Sequence, residues 1–198
     1  MENLLERYPA LEVCKEDIEN ALKLMLDTYK SGGKVLVCGN GGSAADSEHI
    51  VGELMKGFIL KRKVTDERIP EHLRCSLQGA LPAISLPNQS TILSAFINDV
   101  DPDMMYAQLV YGYAADRDLL ICLSTSGNSK NIINAAEVAK ALGIKTLSLT
   151  GEGGGELSRI SDVTIKAPST ETYKVQEYHL PIYHYLCLKV EEYFFGEV

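Results

Sequence analysis

The chain lacks tryptophan, and no residue class is present in the excess that marks a specialised protein. Of its 198 residues, 45% are hydrophobic and 23% are charged, which is ordinary for one globular domain. No hydrophobic run is long enough to span a membrane. The opening residues MEN begin neither a basic nor an apolar stretch, so we expect no signal peptide. These absences argue against a membrane protein and a secreted one.

Cysteine is too sparse and too scattered for a disulfide framework. The five cysteines are an odd number and none forms a CxxC pair. Cys38, Cys122 and Cys187 lie in apolar runs, where a free thiol behaves as a small hydrophobic group. We therefore predict a reducing compartment, the cytoplasm.

The chain also lacks an excess of positive charge, since its net charge is −8 at pH 7. This charge opposes non-specific binding to a polyanion, and no basic stripe suits direct nucleic-acid recognition. We expect neither a nucleic-acid nor a membrane partner. A small phosphate ester is different, because a local group of donors can hold it within an acidic protein.

What the chain does have is an alternation of short apolar strands and helical patterns. This alternation predicts a single α/β domain over residues 1–198: a three-layer αβα fold around a five-stranded parallel sheet. The predicted strands are 35–38, 83–86, 119–123, 145–150 and 163–166. The predicted helices are 44 to about 60, 91–97, 104–113, 130–142, 156–160 and 172–195, with Pro181 expected to kink the last one.

Two further regions stand apart from this alternation. Residues 1–30 are predicted to be helical, with an apolar stripe in their second half and a stop at Gly32 and Gly33. Residues 61–81 are charged and irregular. They are either a solvated excursion or a lid that brings a cation to a pocket, since long loops in compact domains are often functional or disordered.

Two loops of small residues follow predicted strands and open helices, which is the arrangement of an anion site. Ligands of such sheets bind beyond the carboxyl ends of the strands. The alternative is that serines such as Ser43, Ser126 or Ser129 only cap the helices. The candidate binding residues are Asn40, Gly41, Gly42 and Ser43 in the first loop, and Ser124, Thr125, Ser126 and Ser129 in the second.

Two polar constellations lie on the helices that flank these loops. His49 and Glu53 are spaced i, i+4 and share a helix face. They suit metal ligation or a carboxylate base, although such a pair can equally be a surface contact. Gln176, Glu177, His179 and His184 lie on the last helix. Gln176 shares a face with His179 and can border one cleft with His184, unless these groups are exposed or hydrogen-bonded at a subunit contact.

Taken together, these motifs resemble the sugar-isomerase (SIS) family, and most closely the bacterial phosphoheptose isomerases. GNGGSAADSEH, LSTSGNS, LTGEGGG and QEYHLPIYH occur in the family's order, and the resemblance runs from about Tyr29 to the end of the chain. It implies a flavodoxin-like SIS fold with long N- and C-terminal helices. It also implies an aldose–ketose isomerase of sedoheptulose 7-phosphate, acting through a cis-enediol in heptose synthesis for surface glycans.

The resemblance assigns roles to matching positions. Glu53 and His184 are the implied acid–base pair, and His49, Glu53, Gln176 and His184 resemble the zinc ligands of some members. Ser124, Ser126 and Ser129 are implied to hold the phosphate, with Thr125 near the sugar. Asp99 and Thr172 match pocket positions, although unaided they read as a helix stop and a helix cap. The family is tetrameric, so the resemblance implies a homotetramer with shared sites.

The chain departs from the family after Glu53. The family continues with Leu-x-Gly-Arg, but Gly57 stands where that arginine is expected, and Lys56, Lys61 or Arg62 are possible substitutes. The segment between Glu53 and Asp99 is also longer than usual. Two alternatives therefore stand: an isomerase of another ketose or amino-sugar phosphate, and a regulatory protein that binds sugar phosphates or, like some relatives, a replication initiator.

Overall fold

The computed structural model describes residues 1–196 as a sheet of five parallel strands between two layers of helices; the last two residues of the predicted domain lie outside this range. The strand order is β2-β1-β3-β4-β5, the flavodoxin-like order. The predicted fold class is thereby confirmed. The strands are β1 (Val35–Gly39), β2 (Ala83–Ser85), β3 (Leu119–Leu123), β4 (Lys145–Gly151) and β5 (Val163–Ala167).

The helices lie close to their predicted places, except that α4 falls within the stretch 61–81 that was predicted to be irregular. They are α1 (Glu2–Arg7), α2 (Lys15–Lys30), α3 (Gly42–Met55), α4 (Glu71–Arg74), α5 (Ser90–Asp99), α6 (Met105–Tyr113), α7 (Lys130–Ala141), α8 (Leu157–Ile160) and α9 (Thr172–Phe195). Short 3-10 helices occupy Pro9–Cys14 and Pro102–Met104. The N-terminal region is thus interrupted at Pro9, whose ring fixes φ and which has no N–H for a helical hydrogen bond.

The core consists of two apolar clusters, one on each face of the sheet. Alternate residues of β1 supply both: Val35 and Val37 face α1, α2, α3 and α9, while Leu36 and Cys38 face α6, α7 and α8. Every residue of β1 and β3 is buried, as expected for central parallel strands covered on both sides. Each large apolar side chain buried in this way contributes about 1.5–3 kcal/mol.

Helix α3 is shorter than predicted, because it ends at Met55 rather than near residue 60. The backbone N–H groups of Phe58, Ile59 and Leu60 donate to the carboxylate of Glu191 on α9. These donors would otherwise have continued the helical ladder. A distant side chain therefore fixes the end of this helix.

Among residues 1–196, no helix combines the length and the hydropathy needed to cross a bilayer.

Candidate active site

The two serine-rich loops lie side by side at one edge of the sheet. They follow β1 and β3, which are paired in register with Cys38 opposite Cys122. Two reciprocal hydrogen bonds of 2.9 and 3.0 Å join Asn40 of the first loop to Asn131 in the first turn of α7, the helix that the second loop opens. The topology thus brings together two loops that are more than eighty residues apart in the chain.

The first loop opens α3 through glycine rather than through a serine cap. Gly41 occupies the N-cap position with φ of +56° and the cap makes no side-chain hydrogen bond. The predicted cap, Ser43, instead lies buried inside the first turn. Glycine adopts this positive φ without steric cost, and the helix N-terminus behind it favours an anion.

The second loop keeps its hydroxyls available. Ser129 is the N-cap residue of α7 but makes no capping hydrogen bond; its Oγ lies 3.1 Å from Ser124 Oγ. Ser126 Oγ accepts a hydrogen bond from the N–H of Asn128. Gly127 has φ of +66°, and a Cβ there would lie 2.1 Å from the carbonyl oxygen of Gly154. The glycine therefore lets the loop after β4 pack against the serine loop.

Helices α3 and α9 run side by side in the same direction and carry the other candidates. At their N-terminal ends, a Cβ on Gly42 would lie 2.5 Å from Gln176 Nε2, so glycine leaves room for this amide. About two turns further along, His49 faces His184. Gln176 therefore lies beside the first loop. His184 lies about two turns further along α9, opposite His49 on α3.

Three candidate side chains meet directly. His49 Nε2 lies 3.1 Å from Glu53 Oε1 and 3.3 Å from His184 Nε2. Glu53 Oε2 is buried without a hydrogen-bond partner, and Lys56 Nζ lies 3.6 Å from it. Burial lowers the pKa of His184, and the neighbouring His49 lowers it further, so its imidazole favours the neutral form.

This donor set fits a divalent metal ion in its chemistry. Two imidazole nitrogens and a carboxylate are ligands that zinc accepts, and zinc–ligand bonds of about 2.0–2.1 Å place tetrahedral donors roughly 3.3 Å apart. The orphaned Glu53 Oε2 is an acceptor that a cation would satisfy. Within residues 1–196, however, no three His, Cys, Asp or Glu side chains already converge on one metal position.

Two residues beside this cluster, Asp46 and Tyr183, were not among the predicted site residues. The hydroxyl of Tyr183 lies 3.2 Å from Asp46 Oδ1 and 3.0 Å from His49 Nδ1. Burial raises the pKa of Tyr183, and the charge of Asp46 raises it further. Burial also raises the pKa of Asp46, against the opposing effects of the Tyr183 hydrogen bond and of His49. Only the tertiary fold brings Asp46 and Tyr183 together.

Arg62 does not substitute for the family's arginine in the pocket. It is buried, and its Nε donates to Glu191 Oε1 at 2.8 Å. Its NH2 group donates to the backbone carbonyl of Glu53 at 2.8 Å. Burial raises the pKa of Glu191, but the backbone N–H groups of Ile59 and Phe58 and the Arg62 guanidinium outweigh burial and lower it. Lys56 is instead the cation near the Glu53 carboxylate.

The remaining candidates lie elsewhere. His179 lies on the buried face of α9, where its Nε2–H donates to the carbonyl oxygen of Thr150. Burial lowers its pKa to about 4. Asp99 is exposed at the end of α5 and accepts a hydrogen bond from Asn98. Thr172 is exposed at the start of α9. Among the described residues, none of these three bonds to the other candidates.

A cleft of about 880 Å³ lies away from the serine loops. It is lined by residues 61–78 of the excursion, including Lys61, Lys63 and Arg74. Its size is not evidence of function, because neither the serine loops nor the His49 cluster contributes to its lining.

Comparison with known proteins identifies the family. The model of the SIS domain matches residues 1–151. A phosphoheptose isomerase of Akkermansia muciniphila is 36% identical over 193 residues, covering 98% of this chain and 94% of that protein. One of Clostridium acetobutylicum is 40% identical over 182 residues, covering 92% and 85%.

A solved structure agrees with these sequence relatives. The phosphoheptose isomerase of Neisseria gonorrhoeae superposes with a TM-score of 0.79 at 29% identity, covering 96% of this chain and 94% of that one. The resemblance expected from the four motifs is thereby confirmed. The chain belongs to the SIS domain family and, within it, to the phosphoheptose isomerases.

Proposed function

We propose that this protein is an aldose–ketose isomerase of a sugar phosphate, with sedoheptulose 7-phosphate as its substrate and a heptose 7-phosphate as its product. The observation that carries the proposal is the cluster of His49, Glu53 and His184 on the helices beside two phosphate-type loops. The named relatives support the same reaction.

The loops bind the phosphate in this proposal. Ser124, Ser126 and Ser129 donate hydroxyl hydrogen bonds, and the N-termini of α3 and α7 supply backbone N–H groups. Thr125, Asp99 and Thr172 are proposed to contact the sugar. Asn40 holds the two loops at a fixed separation through Asn131. An acidic protein thus binds an anion through local donors.

Proton transfer falls to Glu53 and His184. Isomerisation moves a proton between adjacent carbons and another between their oxygens. The Glu53 carboxylate takes the proton from carbon, and the neutral His184 imidazole moves the proton at oxygen. Lys56 Nζ lies 3.6 Å from Glu53 Oε2.

A divalent ion, zinc in the first instance, is proposed to bind His49, Glu53 and His184, with Gln176 as the fourth candidate ligand. An atom bound to the ion cannot also accept a proton, so proton transfer would then fall to the Glu53 oxygen and the His184 ring nitrogen that are not ligands. When bound, it would polarise the sugar carbonyl and stabilise the enediolate. Gln176 lies beside Gly42, so it would reach such an ion from the loop end of α9.

We further propose a homotetramer in the cytoplasm. Helix α5 is apolar in sequence, yet none of its residues is buried in the single chain, and Ile92, Ile97 and nearby Val100 are exposed. Such a surface suits contact with another copy. The five cysteines are free thiols, which supports a reducing compartment. Sedimentation equilibrium tests the assembly, with four times 21.7 kDa expected.

The decisive experiment is turnover in deuterium oxide. Metal-replete protein is incubated with sedoheptulose 7-phosphate and the sugar is followed by proton NMR. We expect a new heptose 7-phosphate, with deuterium entering beside the carbonyl. Replacing the general base in Glu53→Gln should lower kcat by roughly 10²–10⁴-fold.

Glu48→Gln is the matched control, because Glu48 is exposed on the same helix and should leave kcat within about twofold. Turnover of a different ketose phosphate in a substrate panel would correct the substrate alone. Sugar-phosphate binding without any turnover, together with a tight protein partner, would replace the enzyme by a regulatory binding protein.

A further inference from the structure

The hydroxyl of Tyr183 bridges a carboxylate and a histidine of the proposed active site. It lies 3.2 Å from Asp46 Oδ1 and 3.0 Å from His49 Nδ1. Tyr183 itself is only 2% exposed, so water does not compete readily for this hydroxyl. Its ring also packs edge-on against the His49 ring, with centroids 5.4 Å apart. The fold therefore holds the Tyr183 hydroxyl in contact with both Asp46 and His49.

Three contacts, Asp46–Tyr183, Tyr183–His49 and His49–Glu53, share the two protons of one phenol and one neutral imidazole, so one contact must lack a proton. A phenol carries one proton, and the Asp46 carboxylate can only accept. If Tyr183 donated to His49, two oxygen lone pairs would face each other across the contact with Asp46. If Tyr183 instead donates to Asp46 and accepts from a proton on His49 Nδ1, the contact without a proton is the one between His49 Nε2 and Glu53 Oε1, where a metal ion can take its place.

We propose that Asp46 and Tyr183 are positioning residues that hold neutral His49 as its Nδ1–H tautomer, so that the Nε2 lone pair faces Glu53 and His184. This inference rests on the proposed function for its purpose, although the tautomer itself does not depend on turnover. It adds Asp46 and Tyr183 to the site. Neither residue is hydrogen-bonded, among the described residues, to the proposed substrate loops or to the proton-transfer groups Glu53 and His184.

The consequence is a site with two acceptors in close contact. The His49 Nε2 lone pair and Glu53 Oε1 are 3.1 Å apart, and Glu53 Oε2 has no partner. Facing acceptors repel one another unless a cation or a proton lies between them. Histidine ligands of metals commonly donate their second N–H to a carboxylate or a similar group, which is the arrangement the Tyr183 hydroxyl supplies here.

The test is the tautomer itself, read by nitrogen NMR. The full chain, stripped of metal with a chelator, is labelled with ¹⁵N-histidine and studied near pH 8, where an ordinary imidazole is neutral. The four histidines include an internal reference, because His179 donates from Nε2 to a carbonyl and must be the Nε2–H form. We expect His49, assigned by its loss in His49→Gln, to be the Nδ1–H form.

Two variants should move this signal in different ways. Tyr183→Phe removes the acceptor from His49 Nδ1 and should give a mixture of tautomers. Asp46→Ala frees the Tyr183 proton to point at His49 Nδ1 and should invert His49 to the Nε2–H form. Both should weaken zinc binding by roughly 10–100-fold. Tyr185→Phe is the control, since Tyr185 lies on the same helix and packs against the core; it should change neither signal.

A predominantly Nε2–H His49 in the unmodified chain would overturn the inference. So would a tautomer and a zinc affinity that stay unchanged in both folded variants. If Tyr183→Phe fails to fold, Asp46→Ala alone tests the inference, because it should invert the His49 tautomer rather than only mix the two forms. Failure of the proposed function would appear separately, as absent turnover with the His49 tautomer as predicted.

Discussion

Single hydroxyl groups decide whether the second loop is a binding site or a helix cap. Ser129 occupies the N-cap position of α7 without making the capping bond, and its Oγ lies beside Ser124 Oγ instead. The sequence could place both serines in a loop but could not choose between these roles. The choice depends on the χ1 angle of Ser129, which no sequence pattern reveals.

We predict that Ser129→Ala impairs binding without destabilising the fold. Losing a hydrogen bond to a charged phosphate costs about 1.5–3 kcal/mol, which corresponds to roughly a 10–100-fold increase in KM. The free energy of unfolding should change by less than about 0.5 kcal/mol, because no cap is lost. Steady-state kinetics and urea unfolding measure the two effects.

Ser94→Ala provides the comparison for that variant, because Ser94 is an exposed serine whose Oγ donates to the carbonyl oxygen of Thr91 within α5. It should leave KM unchanged. An unchanged KM in Ser129→Ala, or a loss of stability near 1 kcal/mol, would return Ser129 to the role of a cap.

His179 has a different role, because it is buried and its pKa falls to about 4. In the unfolded chain its pKa returns to about 6.5. Between pH 6.5 and 4, His179 binds a proton in the unfolded state but not in the native state. The contribution of neutral His179 to the free energy of unfolding is therefore complete above pH 6.5 and is lost as the pH falls toward 4. The shift predicts a loss of roughly 3 kcal/mol from this residue.

His179→Gln keeps a donor toward Thr150 but cannot titrate. We expect its free energy of unfolding to decline less steeply than that of the unmodified protein between about pH 6.5 and 4. Urea unfolding at several pH values gives the comparison, and carboxylates contribute equally to both proteins. Parallel pH profiles would show that His179 is protonated in the native state.

At the scale of the elements, the buried Arg62–Glu191 pair determines where α3 ends and how it meets α9. Both side chains are fully buried. Glu191 accepts from three successive backbone N–H groups, while Arg62 donates to the carbonyl of Glu53. The apolar pattern of α3 could not predict this end, because Glu191 lies more than 130 residues away.

Breaking this pair on one side should be costly. Glu191→Ala leaves the Arg62 charge buried and should lower the free energy of unfolding by about 3–5 kcal/mol. The paired change Arg62→Met with Glu191→Leu removes both charges and should recover most of that loss. Chemical denaturation of the three proteins measures the difference.

The paired variant also tests whether the ion pair positions Glu53. If it does, kcat should remain low in the stable double variant while KM changes little, because the loops that bind phosphate are untouched. A double variant with normal kcat would limit the ion pair to stability. A double variant as unstable as Glu191→Ala would show that the backbone N–H groups need the carboxylate more than Arg62 does.

At the scale of the whole molecule, the alternation of strands and helices was enough to predict the three-layer fold. Each strand is a short apolar run, and connections of this length between parallel strands follow one handedness. The meeting of His49 and Glu53 on α3 with His184 on α9 was not derivable from periodicity; the family resemblance supplied it. The excursion after α3 has no periodic pattern, so its path was not predictable.

The excursion has a separable tip in the structure. Lys63 and Gln78 pair as an isolated antiparallel bridge, so the chain returns to where it left. None of the α4 residues beyond this bridge is buried, and Leu73 and Leu77 are about half exposed. The stem, in contrast, contains Arg62 and contacts Glu53 and Glu191.

We therefore predict that replacing residues 64–77 by a two-residue Asn-Gly turn preserves the protein. A short turn matches an antiparallel pair, and little apolar surface is lost from the core, so the free energy of unfolding should change by less than about 1 kcal/mol. Turnover of the sugar phosphate should stay within roughly threefold, because within residues 1–196 the hydrogen bonds and ion pairs of the tip involve no proposed site residue. Urea unfolding measures the stability, and the deuterium-exchange assay measures the turnover.

A folded variant whose kcat/KM falls more than about tenfold, a loss of about 1.4 kcal/mol in transition-state binding, would make the tip a wall or lid of the active site.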